Sequence, residues 1–197
     1  IVVLSPGVHT LRWRYVKDLT GTGLLDAGWV DEASFSPAVG LAESLDIPWA
    51  TLNNGGNVGW VGQTNVTHDA ADAAQSGPIK DNEVSWFETT VKGPFTFSFW
   101  WKVSSESGND RLRFYMGSTS GSLSEQQNIS GNVDWTWRTW SVASGSQILE
   151  WRYTKNGSIT TNLDCGWVDQ IHYVPNNTPT APYMAIEPTN RTVVAPT

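Results

Sequence analysis

Cysteine is almost absent from this chain. Cys165 is the only one in 197 residues, so no disulfide forms within it. Nothing near it in sequence supplies a general base, and a small buried residue is the expectation. Charge is also scarce, at 16% of residues, and its balance is acidic, with a net charge of -7. No cluster of Lys and Arg exists, which argues against nucleic acid as a partner. No apolar run approaches the ~18 residues of a membrane helix, so membrane insertion is not expected. Catalytic signatures are missing too. The three His are far apart, and there is no H-E-x-x-H or G-x-S-x-G. No strand carries the alternating carboxylates of a glycosidase, and Asp81 and Glu83 lie in a polar, turn-like stretch. The chain is not expected to be an enzyme. It shows neither a leader nor an initiator Met, and it reads as a piece of something longer.

What is present is tryptophan, with twelve residues, and short alternating runs. In "TFSFWWKVS" (96 to 104), Phe97, Phe99, Trp101 and Val103 share one face, opposite Trp100 and Lys102. Period two marks a half-buried strand. "RLRFYMG", "TWRTWSV", "ILEWRYTK" and "GWVDQIHYV" behave alike, separated by Gly-, Ser- and Asn-rich turns. The fold class expected is all-β, an antiparallel β-sandwich of jelly-roll type. Its predicted core holds Phe97, Phe99, Trp101, Leu112, Phe114, Trp140, Trp151, Trp167 and Ile171. "HDAADAAQ" (68 to 75) is the one helix-like piece, with an Ala-rich loop as its alternative.

Residues 7 to 37 repeat at 145 to 175 without a gap, and 14 of 31 positions are identical. The shared residues include Trp13, Tyr15, Lys17, Asp26, Trp29 and Asp31, each with a counterpart 138 later. A period of that length is a whole domain. Residues 1–37 therefore read as the closing strands of an upstream copy, "HTLRWRYVK" and "GWVDEASF". Residues 38–175 read as one complete module and 176–182 as a linker. Residues 183–197 resemble the first strand of a bacterial immunoglobulin-like domain.

The string "AAQSG…SWFETTVKGPFTFSFWWKVSSE", followed by "LEWRYTK" and "CGWVDQIHYVP", resembles a module repeated in very large secreted bacterial proteins. That module is similar to MAM-type and concanavalin A-like jelly rolls. The resemblance implies an extracellular or cell-surface location and leaves two functions open. The first is a structural or adhesive link, joined to neighbouring copies or adjacent repeat units through Trp13, Tyr15, Trp29 and Phe35. That link would build a fibre or surface array by strand complementation. The second is a carbohydrate-binding module for cell-surface glycans, with Trp100, Trp135 and Trp137 as the stacking candidates. No cofactor is required. Calcium is the one candidate, with Asp69, Asp72, Asp164 and Asp169 as its ligands. Strand parity places Asp169 on one face with Trp167, Ile171 and Tyr173, so that Arg152, backbone N–H groups or an indole N–H would pair with it. Asp31 is expected in the same environment as Asp169, without metal.

Overall fold

The computed structural model describes residues 10–18, 20, 21, 23, 26–31 and 39–175. The chain divides into two units, 1–37 and 38–197. The expected linker (176–182), the immunoglobulin-like start (183–197) and Phe35 lie outside the described residues.

The second unit is all-β and antiparallel. Its described residues form eight strands: β1 Leu52–Gly56, β2 Val61–Gln63, β3 Ala73–Gln75, β4 Val84–Ser104, β5 Arg111–Ser118, β6 Ser124–Ile129, β7 Asn132–Thr154 and β8 Cys165–Pro175. The long pair β4 and β7 organises the rest. They run side by side from Val84 opposite Thr154 to Ser104 opposite Asn132. Both bend midway, where Gly93 faces Gly145. A Cβ on Gly93 would fall 2.0 Å from the Ala143 carbonyl oxygen, and Gly145 has φ +94°. Only glycine fits both demands.

The bend makes two layers from one ladder. Before it, β4 pairs with β1, while the second half of β7 pairs with β5 and then β6. After it, β4 pairs with β8, which carries β3 and β2. The two layers face each other as a β-sandwich. Their inner faces meet through rings. Phe97 and Phe99 of one layer lie 5.6 and 5.3 Å from Phe114 of the other, and Phe99 lies 5.1 Å from Trp151. Trp151 stacks on Phe87 at 4.9 Å.

Alternation therefore places the core as the sequence predicts. Phe97, Phe99, Trp101, Leu112, Phe114, Trp151 and Ile171 are buried within it. Trp140 is only half-buried, stacked on Phe99 at 5.3 Å. Two runs expected as separate strands, at 136–142 and 148–155, are one bent strand, β7. The helix-like piece at 68–75 is a loop ending in β3.

In the first unit the described residues contain no strand, contrary to expectation. The physical reason is exposure. Trp13 is 58% and Trp29 74% exposed, whereas their repeat counterparts Trp151 and Trp167 are at 0% and 1%. Two strands without a layer to cover them gain too little to hold a ladder. Local contacts to Asp26 do survive, and Lys17 pairs with it as Lys155 does with Asp164. The Tyr15 hydroxyl donates to Asp26 Oδ1 at 2.9 Å, as that of Tyr153 does to Asp164 Oδ1 at 3.3 Å.

Trp151 touches rings from both layers, so Trp151→Ala should cost about 3–5 kcal/mol, while half-buried Trp140→Ala should cost less. Urea unfolding followed by circular dichroism measures both. Equal losses would contradict the placement of Trp151 at the centre.

Candidate functional site

The outer face of the second layer carries the unusual residues. Trp100 of β4 stands opposite Trp137 of β7 on one side and opposite Asp169 of β8 on the other. Directly paired residues share a face. Trp137, Trp100 and Asp169 thus form a row across three strands, facing away from core Phe99 and Trp101.

Asp169 owes its place to a bulge. Ser98 pairs with His172 and Trp100 with Asp169, so Gln170 and Ile171 together oppose Phe99. Gln170 adopts φ +51°. One extra residue reverses strand parity. Trp167 and Asp169 lie on the outer side, while Ile171 and Tyr173 return to the core. The expected common face of these four residues is therefore corrected.

Asp169 is buried although it points outward, because the 64–72 loop folds over it. The Gln63 side chain shapes this loop at its base. Its amide donates to the Val66 carbonyl at 2.7 Å and to that of Ala73 at 3.2 Å. Its oxygen accepts from the N–H groups of Asn65 and Val66 at 2.7 and 2.8 Å. At the tip, the His68 N–H donates to Asp169 Oδ2 at 2.7 Å. The His68 ring stacks on Trp100 at 3.8 Å, and its Nδ1 meets Gln170 Oε1 at 2.7 Å. Of the expected partners of Asp169, backbone N–H groups serve, while Arg152 pairs with Glu150 at 2.6 Å and lies over the Tyr115 ring. Asp31 is exposed, so it does not share the environment of Asp169.

Two further carboxylates converge here. An oxygen from each of Asp46, Asp69 and Asp169 lies within 4.8 Å of one from the other two. Asp46 follows a short 3₁₀ turn, Glu43–Leu45, and itself adopts φ +60°. Burial pushes the Asp169 carboxyl up to about 6, and Asp69 and Asp46 add to the rise. The N–H groups of His68 and Gln170 oppose it. Asp46 is raised by burial and then by Asp69, and Asp72 is raised by burial and then by Asp69, Asp46 and Glu43. Close oxygen donors with unrelieved negative charge suit a hard divalent cation. Of the four calcium candidates from sequence, Asp69 and Asp169 come together, and Asp72 feels the charge of Asp69. Asp164 does not join them, being held by Lys155 and Tyr153. Asp46 was not legible, since nothing in "SLDIPW" links it to residue 169.

Beside this group opens a cleft of about 430 Å³, lined by Asp46, Asp69, Trp100, Trp137, Gln170 and His172 among others. Trp137 is 49% exposed, and Trp135 is half-buried with its ring 5.9 Å from His68. Trp100 is half-buried because His68 covers one side of it. The surface offers one open indole, one partly covered indole and a polar rim.

No protein-family model matches the chain, and no curated protein matches it in sequence. Solved structures do resemble it. The K2 cleaved adhesin domain of Lys-gingipain is 14% identical, with a TM-score of 0.47, over 63% of this chain and 87% of that one. TmCBM61, solved in complex with β-1,4-galactotriose, is 12% identical, with a TM-score of 0.44, over 69% and 94%. The secreted serine protease VesC from Vibrio cholerae is 16% identical, with a TM-score of 0.46, over 60% of this chain. The match spans a quarter of the protease's own length (25%). Likeness this distant assigns no site.

The raised Asp169 carboxyl sets a pH dependence. The folded state binds its proton more tightly than the unfolded chain, whose value is near 3.8. Stability from this group is complete below that value and is lost as pH rises through about 6. The loss is on the order of 2–3 kcal/mol. Asp169→Asn should flatten the stability profile in that window, as measured by thermal melts across pH. An unchanged slope would mean that Asp169 titrates normally.

Proposed function

We propose that residues 38–175 form a non-catalytic carbohydrate-binding module of the jelly-roll kind that recurs in very large secreted bacterial proteins. Its binding surface is the outer face of β4, β7 and β8. The observation that carries this reading is the paired Trp100 and Trp137 beside a polar cleft. An exposed indole face stacks on the C–H face of a pyranose. Gln170, His172, Asp46 and Asp69 can then exchange hydrogen bonds with its hydroxyls. The carboxylates repel anionic sugars, so neutral glycans are the ligand class. A glycan array followed by calorimetry tests this. Trp137→Ala should weaken binding at least tenfold, about 1.4 kcal/mol. Absence of any neutral glycan ligand, or equal binding by the variant, would sink the proposal. New reducing ends released from the bound glycan would overturn its non-catalytic part.

A second reading is a link in an extracellular fibre or surface array, joined through residues 1–37. The exposed Trp13, Tyr15 and Trp29 favour it. In this reading a neighbour's tail adds to an open edge. β8 is paired on both sides only at Trp167 and Val168, while the second half of β7 is paired on both sides throughout. The edges open among the described residues are β1, β2, β6, the first half of β7 and β8 from Asp169 onward. Light scattering on 1–197 and 38–175 should show concentration-dependent association of the longer chain alone. Two monomers would remove this reading.

A further inference from the structure

Away from the cleft, the far end of β7 holds a buried charge cluster that the glycan site does not use. The Lys155 side chain is 1% exposed and is ion-paired with Asp164, itself 11% exposed. Asp110 lies beside them, fully buried, with Oδ2 3.9 Å from Lys155 Nζ. Asp110 Oδ1 accepts from the Asn156 N–H at 2.8 Å, but Oδ2 has no hydrogen-bond partner. Asp81 lies 3.6 Å from Nζ on the more exposed side, and Thr160 Oγ1 lies 3.4 Å away. The Tyr153 hydroxyl donates to Asp164 Oδ1 at 3.3 Å.

An amine and a carboxyl held together out of water are a condensation waiting for a proton path. We propose that Lys155 and Asp164 join through an intramolecular isopeptide bond, with Asp110 as the proton-relaying acid. The Nζ–Cγ bond forms, the Cγ–Oδ2 bond breaks, and one water leaves. Nζ starts as an ammonium with three protons, keeps one as the amide N–H, and gives two to the departing oxygen. No oxidant, reductant or co-reactant enters.

Each neighbour has a part in this step. A proton moving from Nζ to Asp164 turns a buried ion pair into neutral amine and neutral acid, both of which burial favours. The ion pair opposes this by raising Lys155, so the reactive form is a minority at any moment. Burial raises Asp110 as well, which suits it to hold a proton and pass it to Oδ2. Tyr153 is held far above its ordinary range by burial, so it stays a donor. It points at Oδ1, the oxygen that carries negative charge in the tetrahedral intermediate. Fixed contact raises the effective concentration of the two groups enormously. The cleft lined by Ser76, Pro78, Asp81, Thr160 and Leu163 gives the water a way out.

The repeat supplies an internal control. Lys17 and Asp26 form the same ion pair, and Tyr15 donates to Asp26 as Tyr153 does to Asp164. Those two side chains are 33% and 29% exposed, however. Water solvates both charges there, and the pair stays ionic.

The test is the mass of the purified full chain under denaturing conditions. It should be lighter than its sequence by one water. Trypsin should cut after Lys17 but not after Lys155, leaving a 153–191 peptide with an internal loop. Lys155→Met and Asp164→Ala should restore the full sequence mass. Asp110→Asn keeps the size and the ion pair, and should form the bond on the order of a hundredfold more slowly. Full mass in the parent protein, with cleavage after Lys155, overturns the bond. So does a water loss located elsewhere. Bond formation at the parent rate in Asp110→Asn overturns the relay.

Discussion

The β4–β7 ladder is the constraint on which everything else rests. Its two strands belong to both layers, so each layer inherits its position from the same row of hydrogen bonds. Phe87 and Trp151 sit in one half of the ladder, Phe97 and Trp140 in the other, and the bend at Gly93 and Gly145 folds these rings onto one another. The remaining strands attach to the two edges of this strip. A side chain at the bend would hit the neighbouring carbonyl and spread the layers.

The same strip carries the outer surface. Alternate residues of β4 go to opposite sides, so Phe99 and Trp101 fill the core while Trp100 between them faces out. That arrangement holds the indole row rigidly, since its backbone cannot shift without disturbing the core. The 64–72 loop adds the polar part and is tied down at both its base and its tip. A ligand surface built this way is largely ordered before anything binds it.

The second half of β4 and the strands β5, β7 and β8 were legible because their alternation is strong and their large residues are aromatic. The short strands β1 to β3 were not, since "LNNGG" and "AAQ" carry little period-two signal and form by pairing with distant partners. The continuity of β7 was hidden because "ASGSQ" reads as a turn, although it continues the strand around the bend. Trp100, Trp135 and Trp137 could be placed on the outer side by parity alone. Asp46 and His68 could not, because tertiary folding over more than a hundred residues brings them to Asp169. Parity also failed along β8, where no glycine or proline announces the extra residue at Gln170.

That extra residue acts as a phase shift. Before it, odd-numbered positions of β8 speak to the loop and the outer surface; after it, odd-numbered positions speak to the core. The strand therefore has two vocabularies joined at one point. Trp167 and Asp169 answer to the cover they carry, and Ile171 and Tyr173 answer to Phe97 and its neighbours. Deleting Gln170 would leave Ile171 alone opposite Phe99 and keep both meanings, whereas deleting a paired residue such as Val168 would exchange them on one side of the gap. The outer surface is thus indexed to chain length as much as to side-chain chemistry.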